Sequence, residues 1–120
     1  MFKLDESNNF WLYNHATDMR KSFFTLSGIV NNIMGKKLSD GDAFIFINKS
    51  RNRMKILHKE KLGLVLYCLK MDYGTLGIRF NDEGKLDSVS MSWKDLCDMI
   101  ERTVNKREYQ KRQFLMKKYL

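Results

Sequence analysis

The chain has 120 residues, a formal net charge of +8, 43% hydrophobic and 30% charged residues, which is the balance of one soluble globular domain and excludes a disordered polymer. No apolar run reaches the ~18 residues of a membrane span, and "MFKLDESNNF" sets acids where a signal peptide has its apolar stretch. A cytoplasmic chain without membrane contact is therefore expected. Cys68 and Cys97 lie in apolar patterns with no second Cys or His at metal-ligand spacing, and read as two buried thiols in a reducing compartment.

The first element in chain order is a short strand, "FWLYN" at 10–14. A helix follows, with Thr17 as N-cap, Met19, Phe23, Leu26, Val30 and Ile33 on one face, and Gly35 as the stop. Gly28 inside it costs about 1 kcal/mol against Ala, and a close approach to a sheet would account for it. From Asp42 the period becomes strand-like. "AFIFIN" (43–48), apolar on both faces, reads as a covered central strand, followed by "RMKILHK" (53–59), "GLVLYCLKM" (63–71), "LGIRF" (76–80) and "SVSM" (88–91). Short loops between them predict antiparallel neighbours. Ser92 with Asp95 opens a second helix whose stripe is Trp93, Leu96, Cys97, Ile100 and Val104. The last sixteen residues, 105–120, carry six basic residues and one acid, a net +5 (6 − 1). The fold class is thus α+β: a small antiparallel β-meander covered on one side by an N-terminal helix and C-terminal helices, with a domain over 1–104 and a basic helical tail over 105–120.

Chemistry in this sequence concentrates on cations. "NKSRNRMKIL" (48–57) joins two core strands and repeats a positive charge at Lys49, Arg51, Arg53 and Lys55 with no acid between them. Arginine grips phosphate with paired N–H donors, lysine acts as a mobile point charge, and Asn52 either meets a base edge or takes the turn conformation. Arg20 and Lys21 follow the expected helix start, where free backbone N–H groups favour an anion; a salt bridge to Asp18 is the competing reading. For the hairpin the competing reading is a solvated tip that resists edge aggregation. Most of the acids fall at turns and helix starts and none lies in the middle of an apolar strand, so no carboxylate cluster for a metal is expected. His58 reads as a partly buried hydrogen-bonding residue at a strand end. No nucleophile motif, phosphate loop or cofactor signature is present.

"TDMRKSF" (17–23), "SDGDAFIF" (39–46), "FIFINKSRNRMKILH" (44–58) and "GLVLY" (63–67) occur in an order and spacing that resemble the TnpB accessory protein family, the second open reading frame of insertion sequence 66 elements. The resemblance runs from about Leu4 to Arg102. Lys59 stands where that family usually has Trp, Ser50 interrupts a run that is often wholly basic, and the tail is longer and more basic. The resemblance implies a non-catalytic role in DNA transposition, with DNA and the separately encoded transposase as partners, and it brings no assigned active site. Two readings compete with DNA contact through the hairpin: a protein–protein adaptor that docks on the transposase through the tail, and a small metal-independent ribonuclease using Arg, Lys and Tyr.

Overall fold

The computed structural model describes residues 2–80 and 86–101. Five strands form one sheet in the order β4-β3-β2-β1-β5, with β1 at Phe10–Tyr13, β2 at Ala43–Ile47, β3 at Arg53–Glu60, β4 at Gly63–Lys70 and β5 at Ser88–Met91. Helix α1 spans Phe23–Asn32 and a 3-10 turn spans Leu38–Asp40. Helix α2 runs from 93 to the last described residue of its segment, 101. The class is α+β as expected, but the sheet is mixed and not an antiparallel meander. β1 and β2 pair in parallel, Phe10 beside Ala43 and Leu12 beside Ile45. Parallel neighbours need a long crossover, and residues 14–42, which carry α1, supply it. β5 does not close a meander either: it crosses to the far edge and pairs antiparallel with β1, Phe10 opposite Met91.

The alternation of β2 decides where the helices go. Ala43, Ile45 and Ile47 enter a core with Phe10, Leu12, Met54, Ile56, Leu76, Leu96 and Met99. Phe44 and Phe46 enter another with Leu26, Ile29, Val30, Met34 and Leu57. Successive strand residues point to opposite faces, so α1 and α2 cover opposite faces of the sheet, not one side as anticipated. All five residues of β2 are buried, in keeping with a covered central strand.

The first helix begins later than expected. Its N-cap is Ser22, in extended conformation and without a side-chain cap bond. Thr17 is buried, and its N–H donates to the Ile47 carbonyl at 2.8 Å, which ties the preceding loop to the end of β2. The shorter helix turns the apolar stripe: Leu26, Ile29, Val30 and Met34 are buried, whereas Phe23 and Ile33 are 43% and 47% exposed. Gly35 does end the helix region in the left-handed conformation (φ +66°), where only glycine sits without strain. Gly28, by contrast, makes no close approach; a Cβ there would meet only Asn32 Nδ2 at 3.9 Å. Gly28→Ala is expected to raise unfolding stability by about 0.5–1 kcal/mol, read from urea denaturation.

In α2, Ser92 Oγ accepts from the Asp95 N–H at 3.1 Å and Asp95 Oδ2 accepts from the Ser92 N–H at 3.2 Å, the reciprocal cap anticipated from sequence. Met99 joins the buried stripe at i+3 from Leu96. The "LGIRF" segment is not a strand. Leu76 is an anchor, 1% exposed, and its neighbour Gly77 donates from its N–H to the Met99 carbonyl at 3.0 Å. The cysteines differ from expectation as well: Cys68 is exposed and Cys97 only partly buried. Cys68 is on β4, the outermost strand at that edge of the sheet. Val104 and the 105–120 tail lie outside the described residues. No helix among the described residues is long and apolar enough to cross a membrane.

Candidate nucleic-acid interface

The link between β2 and β3 is held by its two asparagines. Asn48 Oδ1 accepts from the N–H groups of Asn52 and Arg53, both at 3.0 Å, and Asn48 Nδ2 donates to Asn52 Oδ1 at 2.7 Å. The Arg51 N–H closes the turn onto the Asn48 carbonyl at 3.0 Å. Asn52 is therefore a turn-fixing residue, and its own carbonyl accepts from the Met71 N–H at 2.8 Å. This network makes the tip stiff, because asparagine offers local bonds that stand in for backbone ones.

The four cations of the tip divide into two kinds. Arg51 takes a left-handed backbone (φ 56°), its carbonyl accepts from the Leu76 N–H at 2.7 Å, and its Nη1 donates to the Ile78 carbonyl at 2.8 Å. It is a strut that pins the 76–80 segment under the hairpin. Lys55 Nζ donates to the Lys21 carbonyl at 2.7 Å and so fastens the approach to α1. Lys49 and Arg53 are exposed, and no ion pair among the described residues engages either.

The loop between β1 and α1 completes the surface. Thr17, Asp18, Asn48, Lys49, Ser50 and Arg53 line a shallow cleft of about 320 Å³. Asp18 and Arg20 form an ion pair, Nη2 donating to Oδ2 at 2.6 Å, with the arginine side chain 91% exposed. The hydrogen bonds from the Arg20 side chain and from its backbone N–H hold the Asp18 carboxyl down at about 2. The salt bridge foreseen as the alternative for Arg20 is thus present, and it ties the cation to the loop while leaving it open to solvent. Lys21 is exposed, one residue before a helix start with no cap bond and no acid in its first turn. Arg20, Lys21, Lys49 and Arg53 consequently share one end of the molecule with Lys55.

Lys70 was missed by sequence reasoning. The antiparallel register of β3 and β4 sets it directly opposite Arg53, so the two side chains share the α1 face. Counting back from the tight turn at 61–62, where Glu60 pairs with Gly63, was the signal that would have found it.

At the other end of β3, His58 is buried, with Nδ1 3.0 Å from Glu60 Oε2 and Nε2 3.0 Å from the Gly41 carbonyl oxygen and 3.3 Å from Asn8 Nδ2. Both ring nitrogens are engaged within the fold, which gives it a structural place. Tyr67 Oη donates to the same Glu60 oxygen. Burial tends to raise the Glu60 carboxyl, but the bonds from Tyr67 and His58 outweigh it and hold the group below its ordinary value. For Tyr67, burial and then the bond to Glu60 push the phenol up to about 12. A phenol that ionises later when folded stabilises the fold fully below pH ~10, and this contribution is lost as pH rises through ~12. The expected result is that stability falls between those limits in urea titrations, and that Tyr67→Phe flattens the decline.

Comparison with known proteins agrees with the sequence pattern. Residues 8–113 match the family described as IS66 Orf2 like protein. That span covers most of the chain, and the chain belongs to this family of accessory proteins associated with transposition. No curated protein and no solved structure matches it.

Proposed function

We propose that this chain is a non-catalytic accessory factor that contacts DNA, alone or in the transposase assembly, through the β2–β3 tip. Lys49 and Arg53 are the primary phosphate contacts, Lys70, Arg20 and Lys21 flank them, and Arg51, Asn52 and Lys55 hold the surface in shape. The observation that carries this reading is the stiff tip itself: exposed cations on a turn locked by the Asn48–Asn52 bonds. Prepositioned cations neutralise phosphate and release condensed counterions with little ordering cost. The family's transposition role supplies DNA as the polyanion at hand. The test is a gel shift of the full chain with the element's terminal DNA, with and without transposase. A salt-sensitive complex without transposase is expected, and absence of any complex under both conditions would reject DNA contact.

A second reading, an adaptor that docks on the transposase, is favoured by one observation. Residues 22–35, which include α1, contain no charged residue in a chain that is 30% charged, and Phe24 stands 93% exposed. A complex that forms only when transposase is present, and is lost in Phe24→Ser, would move the conclusion to this reading.

A further inference from the structure

The two edges of the sheet are unlike. β5 is four residues long and half serine, a blunt edge. β4 is eight residues, "GLVLYCLK", with a single charge at its end, and no proline interrupts the chain anywhere. Natural edge strands are usually shortened, charged or bulged to prevent pairing with another chain, and β4 has none of these devices along Gly63–Leu69. Its register shows which groups are open. Glu60 and Gly63 flank the tight turn, and the Met71 N–H donates to the Asn52 carbonyl, so the odd-numbered residues of β4 bond inward to β3. The N–H and C=O groups of Leu64, Leu66, Cys68 and Lys70 point away from the sheet. Among the described residues no strand pairs with that edge.

We propose that this edge binds the same edge of a second copy of the chain, antiparallel, to make one continuous sheet across a twofold axis. The strand is its own complement. Setting Leu64 against the partner's Lys70 and Leu66 against the partner's Cys68 uses every outward-pointing backbone group of both edges. It also keeps the two Lys70 charges apart in a chain at +8. The two Lys70 residues then lie six positions apart along the ribbon, roughly 20 Å at ~3.4 Å per residue and well beyond the ~8 Å screening length of physiological salt. A parallel pairing would set them side by side. Each lysine stem would cover the partner's Leu64, which is 36% exposed. Residues that oppose each other share a face, so both copies present α1 and the Arg53–Lys70 pair on the same side. Such a dimer is independent of whether the tip meets DNA.

Sedimentation equilibrium of the full chain in reductant tests it. The expected result is a reversible dimer at twice 14.3 kDa. Cys68→Pro removes one outward N–H and leaves the inward ladder intact, and weakens the dimer about tenfold or more. Cys68→Ser keeps the N–H and retains the dimer. Amide exchange on the unaltered chain provides the second readout: Leu64, Leu66, Cys68 and Lys70 become protected as concentration rises. A monomer at every concentration, a dimer indifferent to Cys68→Pro, a Cys68→Ser as damaging as the proline, or outward amides that exchange fast throughout would each overturn the proposal.

Discussion

Replacing Lys49 and Arg53 together with Gln is expected to lower the slope of log K against log salt for duplex DNA by ~0.9 for each phosphate no longer neutralised, or up to ~1.8 for the pair. Affinity at low salt falls with it, uniformly across DNA sequences, because phosphate contacts carry no base information. Arg51→Gln and Lys55→Gln make the discriminating comparison. Both remove one formal charge from the same hairpin, yet their side chains donate to the Ile78 and Lys21 carbonyls. Their effect appears in stability, about 1.5–3 kcal/mol for the part-buried Arg51 bond and less for the exposed Lys55 bond, and much less in the slope. Equal slope changes for all four residues would show that net charge alone drives binding, and that the division into contacts and struts is wrong.

Phe46→Ala should cost about 3–5 kcal/mol, through reduced burial and the cavity left behind. Phe46 is fully buried on the α1 face, in one core with Leu26, Val30 and Leu57, and its ring centroid lies 5.8 Å from that of Tyr13. A small domain holds only ~5–15 kcal/mol in total, so the variant would be marginal. The urea midpoint should fall with the slope of the transition unchanged. The hairpin would lose rigidity at the same time, since Phe46 pairs with Lys55 across β2 and β3. Phe44→Ala belongs to the same core and should behave alike.

How much of the fold was legible in the sequence depended on whether the determining interaction was local. β2, β3 and β4 are readable because apolar runs, the basic tip and the short loops between them are all short-range signals. The Ser92–Asp95 cap was readable for the same reason. The place of β1 was not: its parallel pairing with β2 depends on the helix-bearing crossover, and nothing local in "FWLYN" records direction. The place of β5 is not legible locally either, because its partner, β1, is far away in sequence. Thr17 has the residue type of an N-cap, but its N–H is claimed by Ile47 and the helix starts after Ser22, whose hydroxyl makes no cap bond.

The site shows the same limit. Charge density at 49–55 pointed to the loop that now carries the proposal, and residue type could not distinguish cations that project from cations that brace. Arg51 braces because its left-handed backbone turns the side chain back toward Ile78. Lys70 escaped notice because it enters the surface through strand register, not through sequence proximity to the tip. The apolar neighbours of Cys68 suggest burial, but an edge strand exposes part of one face.

Amide shift mapping of the full chain titrated with a short DNA duplex at low salt tests the central claim most directly. The largest changes are expected on 48–53, on Lys70 and on 20–22; they should titrate together, and added salt should reverse them. Changes centred on the exposed face of α1 or on β5, with the hairpin amides unmoved, would contradict it.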